Sequence, residues 1–235
     1  MNRRRSIAIM RLRTLVLVVA VAVAAWSTTA RAAGDVDLCF RGDGDQELAA
    51  CDRLIGSGKF SGRRLSARYV SRGVIWQARR DADRAFADYE RAVAADATFA
   101  QAWVTRGLSH HDRGQRDRAI ADFTQAIRLE PNNVIALTGR GRSLARTGEL
   151  DRSLADLDAA IRLEPRSADA FYTRGLVYLR RGERGRAVAD FDAVLRISPD
   201  HADAAKFKAI AEQRESDSAG GATSAIPRTN QGGQP

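Results

Sequence analysis

The chain is poor in the residues that build catalytic and metal sites. It has two cysteines and three histidines among 235 residues, and the histidines are His110, His111 and His201. Adjacent residues on a helix point about 100° apart, so His110 and His111 cannot bind one metal ion together. Two cysteines without a nearby histidine cannot fill four ligand positions. H-E-x-x-H, G-x-S-x-G and P-loop motifs are also missing. These absences predict a protein that is not an enzyme and that binds no metal or cofactor.

The N-terminal segment is basic and apolar. Residues 1–32 contain six arginines and no acidic residue, with a twelve-residue apolar run from Leu15 to Trp26 and then Ala30-Arg31-Ala32. This order is typical of a secretory signal peptide cleaved after Ala32, and Met10 is an alternative start to Met1. A transmembrane anchor is the other interpretation, but the run is shorter than the ~20 residues that span a bilayer. The predicted location is therefore periplasmic or exported.

The charge of the rest of the chain is small. The net charge is +9 for the full chain, but the residues after Ala32 carry 32 basic and 29 acidic side chains, a net charge of +3. Their arginines recur at fixed intervals instead of forming one patch. A nucleic-acid partner is therefore not expected.

An interval of 34 residues runs through the middle of the chain. It separates Gly73, Gly107, Gly141 and Gly175, and large residues follow sixteen positions later at Tyr89, Phe123, Leu157 and Phe191. The predicted repeats are 66–99, 100–133, 134–167 and 168–201. Within them, apolar residues recur at helical spacings, and a proline lies near the end of three repeats. Each repeat is predicted to be an antiparallel helical hairpin whose second helix packs closely on the glycine.

This pattern resembles the tetratricopeptide repeat family. The match in residues 66–201 consists of a large residue, a glycine, two further large residues alternating with alanines, and a terminal proline. The first copy departs from it with Arg79-Arg80 in place of the turn glycine and Ala97 in place of the proline. The composition, which is rich in arginine and alanine and poor in lysine, resembles that of small exported family members from alphaproteobacteria. The resemblance implies an all-α fold, a right-handed α-solenoid of four helix-turn-helix repeats.

Two segments flank the predicted repeats. Cys51 aligns with the core position of Tyr89, so residues 33–65 are predicted to form a cap hairpin closed by a disulfide between Cys39 and Cys51. Two free buried thiols are the alternative. Residues 202–215 are predicted to be a helix that covers the last apolar surface, and residues 216–235, which are small and polar, a disordered tail.

An arginine precedes each repeat glycine, and an aspartate precedes each large residue opposite it. We predict bidentate ion pairs between the two helices of every repeat. The pairs are Arg72–Asp88, Arg106–Asp122, Arg140–Asp156 and Arg174–Asp190. The alternative is a row of arginines that binds an acidic ligand.

The family resemblance implies that a ligand lies along the first helices of the repeats. The corresponding peptide-groove residues are Val70, Val74, Gln77, Gln101, Val104, Leu108, His111, Ile135, Arg142, Tyr172, Leu176 and Leu179. Many of them are apolar, which favours an extended or helical peptide. The alternative is that they partly pack against the next repeat. The basic and asparagine residues with which some family members clamp a C-terminal carboxylate are missing, apart from Arg142.

The predicted function is a non-enzymatic scaffold or adaptor for protein–protein interaction in the cell envelope. Its partner is expected to be a protein or peptide, with no nucleic acid and no membrane span after signal cleavage. The alternative is a structural or chaperone-like component of a cell-envelope assembly that acts through its convex face or by self-association.

Overall fold

A computed structural model describes residues 34–40 and 44–223 of the chain, and it shows no strand among them. The predicted signal peptide and the last part of the predicted tail lie outside these residues. Residues 34–40 form helix α1. The following helices are α2 (Asp45–Gly56), α3 (Gly62–Ala78), α4 (Ala82–Ala95), α5 (Ala100–Asp112), α6 (Arg116–Leu129), α7 (Val134–Thr147), α8 (Leu150–Leu163), α9 (Ala168–Arg181), α10 (Arg184–Ile197) and α11 (Ala202–Thr223). The fold class predicted from the sequence, an all-α solenoid of helical repeats, is confirmed.

The helices belong to two compact units, which divide between Thr105 and Arg106 within α5. In the first unit, α3 packs against both α2 and α4. In the second unit, each helix from α6 to α11 packs against the next one, and α9 also contacts α7 and α11. The pairs α3–α4, α7–α8 and α9–α10 are three of the hairpins of the 34-residue pattern.

The repeat glycines lie where the two helices of a hairpin approach most closely. A Cβ atom added at Gly73 would lie 2.5 Å from the ring of Tyr89, and one at Gly175 would lie 2.8 Å from the ring of Phe191. Both rings are almost fully buried, so they cannot move aside. The glycine and the large residue are therefore one packing unit, as the sequence pattern predicts.

The turn inside each hairpin uses a left-handed residue. Gly114, Gly148 and Gly182 have φ angles of 73°, 94° and 77° at equivalent repeat positions. The first repeat has Arg80 there, and its φ angle is 62°. This conformation costs a residue with a side chain about 1–2 kcal/mol. The first hairpin thus keeps the backbone turn of the others although it lacks the glycine.

The N-terminal cap is attached to α3 through a small core. A disulfide joins Cys39 of α1 to Cys51 of α2, with 4.9 Å between their Cα atoms. Cys51, Leu54 and Ile75 are buried in the same cluster. The predicted disulfide is therefore confirmed.

Helix α11 covers the apolar end of the last hairpin. Ala204 is fully buried, and the Phe207 ring stacks on Phe191 with 6.2 Å between the ring centroids. The helix continues to Thr223, beyond the predicted end at residue 215. Extending an existing helix is far easier than starting one, and no proline interrupts the sequence before Pro227.

Candidate functional site

The arginines and aspartates of the repeats form four bidentate ion pairs. In every pair the arginine Nε and Nη2 atoms donate to the two carboxylate oxygens over 2.7–2.8 Å. These are Arg72–Asp88, Arg106–Asp122, Arg140–Asp156 and Arg174–Asp190. All four aspartates are buried, with at most 8% of their surface exposed. Hydrogen bonds to the carboxylates raise the pKa of Arg72, Arg140 and Arg174.

Three of these arginines also reach the preceding hairpin. The Nη1 atom of Arg72 donates to Asp52 over 2.8 Å, and that of Arg174 donates to Asp158 over 2.6 Å. Arg140 makes the equivalent contact with the Thr124 hydroxyl at 3.3 Å. Their guanidinium groups therefore join neighbouring helices, which leaves few donors for a ligand.

The predicted groove residues of the first unit differ in accessibility. Val74 and Gln77 are exposed, and Val70 and Gln101 are half-buried. Val104 is completely buried, so no part of it is open to a ligand in this structure. Thr138, at the same position of the next repeat, is only 3% exposed. This position is therefore part of the packing in the inner repeats, as the alternative interpretation holds.

A groove of about 1080 Å³ lies in the second unit and is lined by residues of α6, α7, α9 and α11 and by His201, which precedes α11. It contains four of the predicted residues, Arg142, Tyr172, Leu176 and Leu179. Leu108 and His111 are half-buried and Ile135 is exposed, and none of these three lines it. The structure thus brings together the predicted residues of the last two repeats except Ile135.

One wall of the groove is aromatic and apolar. The Tyr172 ring lies 5.0 Å from the His201 ring and 6.3 Å from the Phe207 ring, measured between centroids. Leu176 and Leu179 continue this wall along α9. Burial raises the pKa of Tyr172, and the negative charge of Asp203 adds to this effect. Tyr172 therefore presents a neutral hydroxyl at physiological pH.

Four guanidinium groups also line the groove. They belong to Arg116, Arg142, Arg146 and Arg180. Arg142 forms an ion pair with Asp169 at the edge of the groove. Arg180 donates a hydrogen bond to the backbone carbonyl of Ala145. The groove therefore combines apolar side chains with an excess of positive charge.

Several lining residues are not among those predicted from the sequence. Arg146 and Arg180 follow Arg142 and Leu176 by four residues, so each lies on the same helix face one turn later. The four-residue spacing could therefore have identified Arg146 and Arg180 as groove residues. His201 and Phe207 come from outside the first helices of the repeats, and no periodic rule assigns them to the groove.

The described residues show neither a metal cluster nor a membrane helix. Over residues 34–40 and 44–223, no three or more histidine, cysteine or acidic side chains are grouped so that they could hold a metal ion. No helix in this part of the chain is long and apolar enough to cross a membrane. The groove is therefore the strongest candidate for a functional site.

Comparison with known proteins gives the family. A tetratricopeptide repeat profile matches residues 104–168, 138–202 and 172–222, which together cover just over half of the chain. No curated protein sequence matches.

Similar solved structures include YrrB, titled a TPR protein with an unusual peptide-binding site. It is 25% identical with a TM-score of 0.57, over 70% of this chain and 82% of YrrB. TTC0263, a thermophilic TPR protein from Thermus thermophilus, is 18% identical with a TM-score of 0.58, over 72% of this chain and 90% of that one. MamA from Desulfovibrio magneticus RS-1 is also 18% identical with a TM-score of 0.58, over 65% and 86%. The chain belongs to the tetratricopeptide repeat family.

Proposed function

We propose that this protein is a non-enzymatic adaptor that binds a peptide or partner helix in the groove of the second unit. The observation that carries the proposal is a groove of about 1080 Å³ that is lined by apolar side chains and by arginines whose charge is only partly neutralised. A concave surface with an apolar wall and a few convergent polar groups is the usual form of a binding site. Tyr172 and the neighbouring leucines provide apolar surface that a ligand can bury, and hydrogen bonds to the arginines would fix the orientation of the ligand.

The similarity to YrrB supports a peptide as the ligand. YrrB is described as having an unusual peptide-binding site, and a quarter of its aligned residues are identical to those of this chain. The carboxylate-clamp pattern of the family is missing from the repeats, apart from Arg142. A peptide would therefore be held by residues particular to this groove.

We further propose that the protein acts in the cell envelope after export. The Cys39–Cys51 disulfide is of the kind that persists in oxidising compartments. The N-terminal sequence adds a signal-peptide pattern. Expressed in a Gram-negative host, the protein is expected in the periplasmic fraction with Ala33 as its first residue, which intact-mass measurement would detect. A cytoplasmic protein that retains residues 1–32 would contradict the export proposal.

Groove binding can be tested by crosslinking and pull-down from envelope extract. We expect Leu179→Glu to reduce the captured partner about tenfold or more, because it removes apolar contact area and places a carboxylate beside the arginines that would otherwise meet the partner. Leu163→Glu is the matched control, since Leu163 is 44% exposed and does not line the groove. Circular dichroism must show that both variants remain helical. A partner retained by both variants would contradict groove binding and favour an assembly component that uses another face.

A further inference from the structure

The charges around the groove are unbalanced. Four arginines line it, and only two aspartates, Asp169 and Asp203, stand against them. The repeat arginines, by contrast, each have a buried aspartate of their own. The groove therefore carries positive charge that the described part of the chain does not neutralise.

Three of the four groove arginines have no carboxylate partner among the described residues. Arg142 is paired with Asp169. Arg116 and Arg180 each donate to one backbone carbonyl, that of Gly114 and that of Ala145. Each of the two keeps further N–H donors, because a guanidinium group carries five. Arg146 is exposed and also has no acidic partner in this part of the structure.

Three of the groove arginines act on one neighbouring histidine. His111 lies beside the groove and makes a 2.9 Å hydrogen bond through Nδ1 to the Ser143 hydroxyl. Burial lowers the pKa of His111, and the positive charges of Arg142, Arg146 and Arg116 lower it further, against the opposing effect of Asp112. Three of the four groove arginines thus lie close enough together to act on one neighbouring side chain.

We propose that the groove selects an acidic segment of a partner protein, in which carboxylates flank a hydrophobic side chain. This inference rests on the proposed groove-binding function and names the chemistry of its ligand. Guanidinium groups match carboxylates in shape as well as charge, since two parallel N–H donors meet two oxygens. Tyr172, Leu176 and Phe207 line the same groove and provide apolar surface for the hydrophobic residue of the ligand.

A peptide suits this groove better than a nucleic acid. The apolar wall on α9 would leave leucines against a phosphate backbone, and Asp169 and Asp203 would repel it. The net charge of only +3 after Ala32 also gives little attraction beyond the groove. The ligand chemistry therefore combines negative charge with hydrophobicity in a short stretch of chain.

The test is fluorescence anisotropy with a fluorescein-labelled peptide in which glutamates flank two leucines. Arg146→Gln combined with Arg180→Gln is expected to weaken its binding by roughly tenfold or more, because it removes two charged donors. Arg162→Gln combined with Arg196→Gln is the matched control, since both residues are exposed and lie outside the groove. This control makes the same change in net charge and is expected to alter binding less than twofold.

Two further probes separate the inference from the general function. A peptide with glutamine in place of each glutamate should bind at least about tenfold more weakly. If it binds equally well and Leu179→Glu abolishes its binding, the groove is a peptide site but the acidic selectivity is wrong. Equal losses in the two arginine variants, or no binding of the acidic peptide, would also overturn the inference. If a short oligonucleotide bound more tightly than the acidic peptide, the groove would be a phosphate-binding site and the inference would be wrong.

Discussion

Replacing Asp156 by alanine is expected to lower the free energy of unfolding by about 3–5 kcal/mol, which urea denaturation would measure. Asp156 is 8% exposed and accepts two hydrogen bonds of 2.7 Å from Arg140. Its removal leaves the half-buried guanidinium group without its counter-charge, and Thr124 alone cannot replace the carboxylate. The loss is large because an unpaired buried charge costs more than the intact pair contributes.

A double-mutant cycle separates the pair from its surroundings. Arg140→Met combined with Asp156→Ala should destabilise the protein much less than the two single losses added together, because neither charge is then left alone. We choose this pair because Asp122, in the preceding repeat, also faces the buried His110 at 3.7 Å. The exposed pair of Arg152 and Glu149 is the control, with a coupling of at most about 1 kcal/mol. Additive losses at Arg140 and Asp156 would contradict a structural role for the repeat ion pairs.

The sequence alone predicted the parts of the fold that repeat. A glycine and a large residue sixteen positions apart must meet if two helices form a hairpin, and Gly73 and Tyr89 do so in the structure. The residues before them, Arg72 and Asp88, then lie side by side and form the expected bidentate pair. Each of these two spacings occurs four times in the sequence. A different fold would have to explain all four copies, so the hairpin arrangement is strongly indicated.

The candidate site was harder to predict because it depends on what lies next to each repeat. Val104 occupies a ligand position by periodicity, yet it is completely buried. Tyr172, at the equivalent position of the last repeat, stays accessible and lines the groove. Phe207 comes from α11, where the 34-residue pattern has already ended. Position within a repeat therefore gives the face of a helix, but the neighbouring helix decides whether that face can bind.

The charge of the groove shows the same limit. Arginines occur throughout the chain, and most of them are explained by the scaffold or stand exposed. Arg146 and Arg180 differ only because the helices that carry them, α7 and α9, turn the same face to one groove. The sequence contains both residues at equivalent repeat positions, but their joint effect exists only once the two helices are packed. The function proposed here thus depends on residues that the scaffold does not require.

Reduction of the Cys39–Cys51 disulfide is expected to lower the free energy of unfolding of the first unit by about 3 kcal/mol. Seven residues of α1, 34–40, are described, and a segment of this length does not remain helical in isolation. Besides the disulfide, the ion pair between Asp35 and Arg53 links it to α2, with hydrogen bonds of 2.5 and 3.0 Å. The ion pair is half-exposed and cannot replace a covalent link.

The measurement is thermal and urea unfolding with and without dithiothreitol, together with hydrogen exchange of residues 34–40. We expect α1 to lose its protection on reduction, because Cys39 is then no longer covalently held in the core cluster with Leu54 and Ile75. A variant with alanine at both cysteine positions is the control and should not respond to the reductant. Equal stability of the oxidised and reduced forms would refute a stabilising role of the disulfide. A clear loss would mean that the first unit reaches full stability only in an oxidising compartment, which agrees with the proposed export.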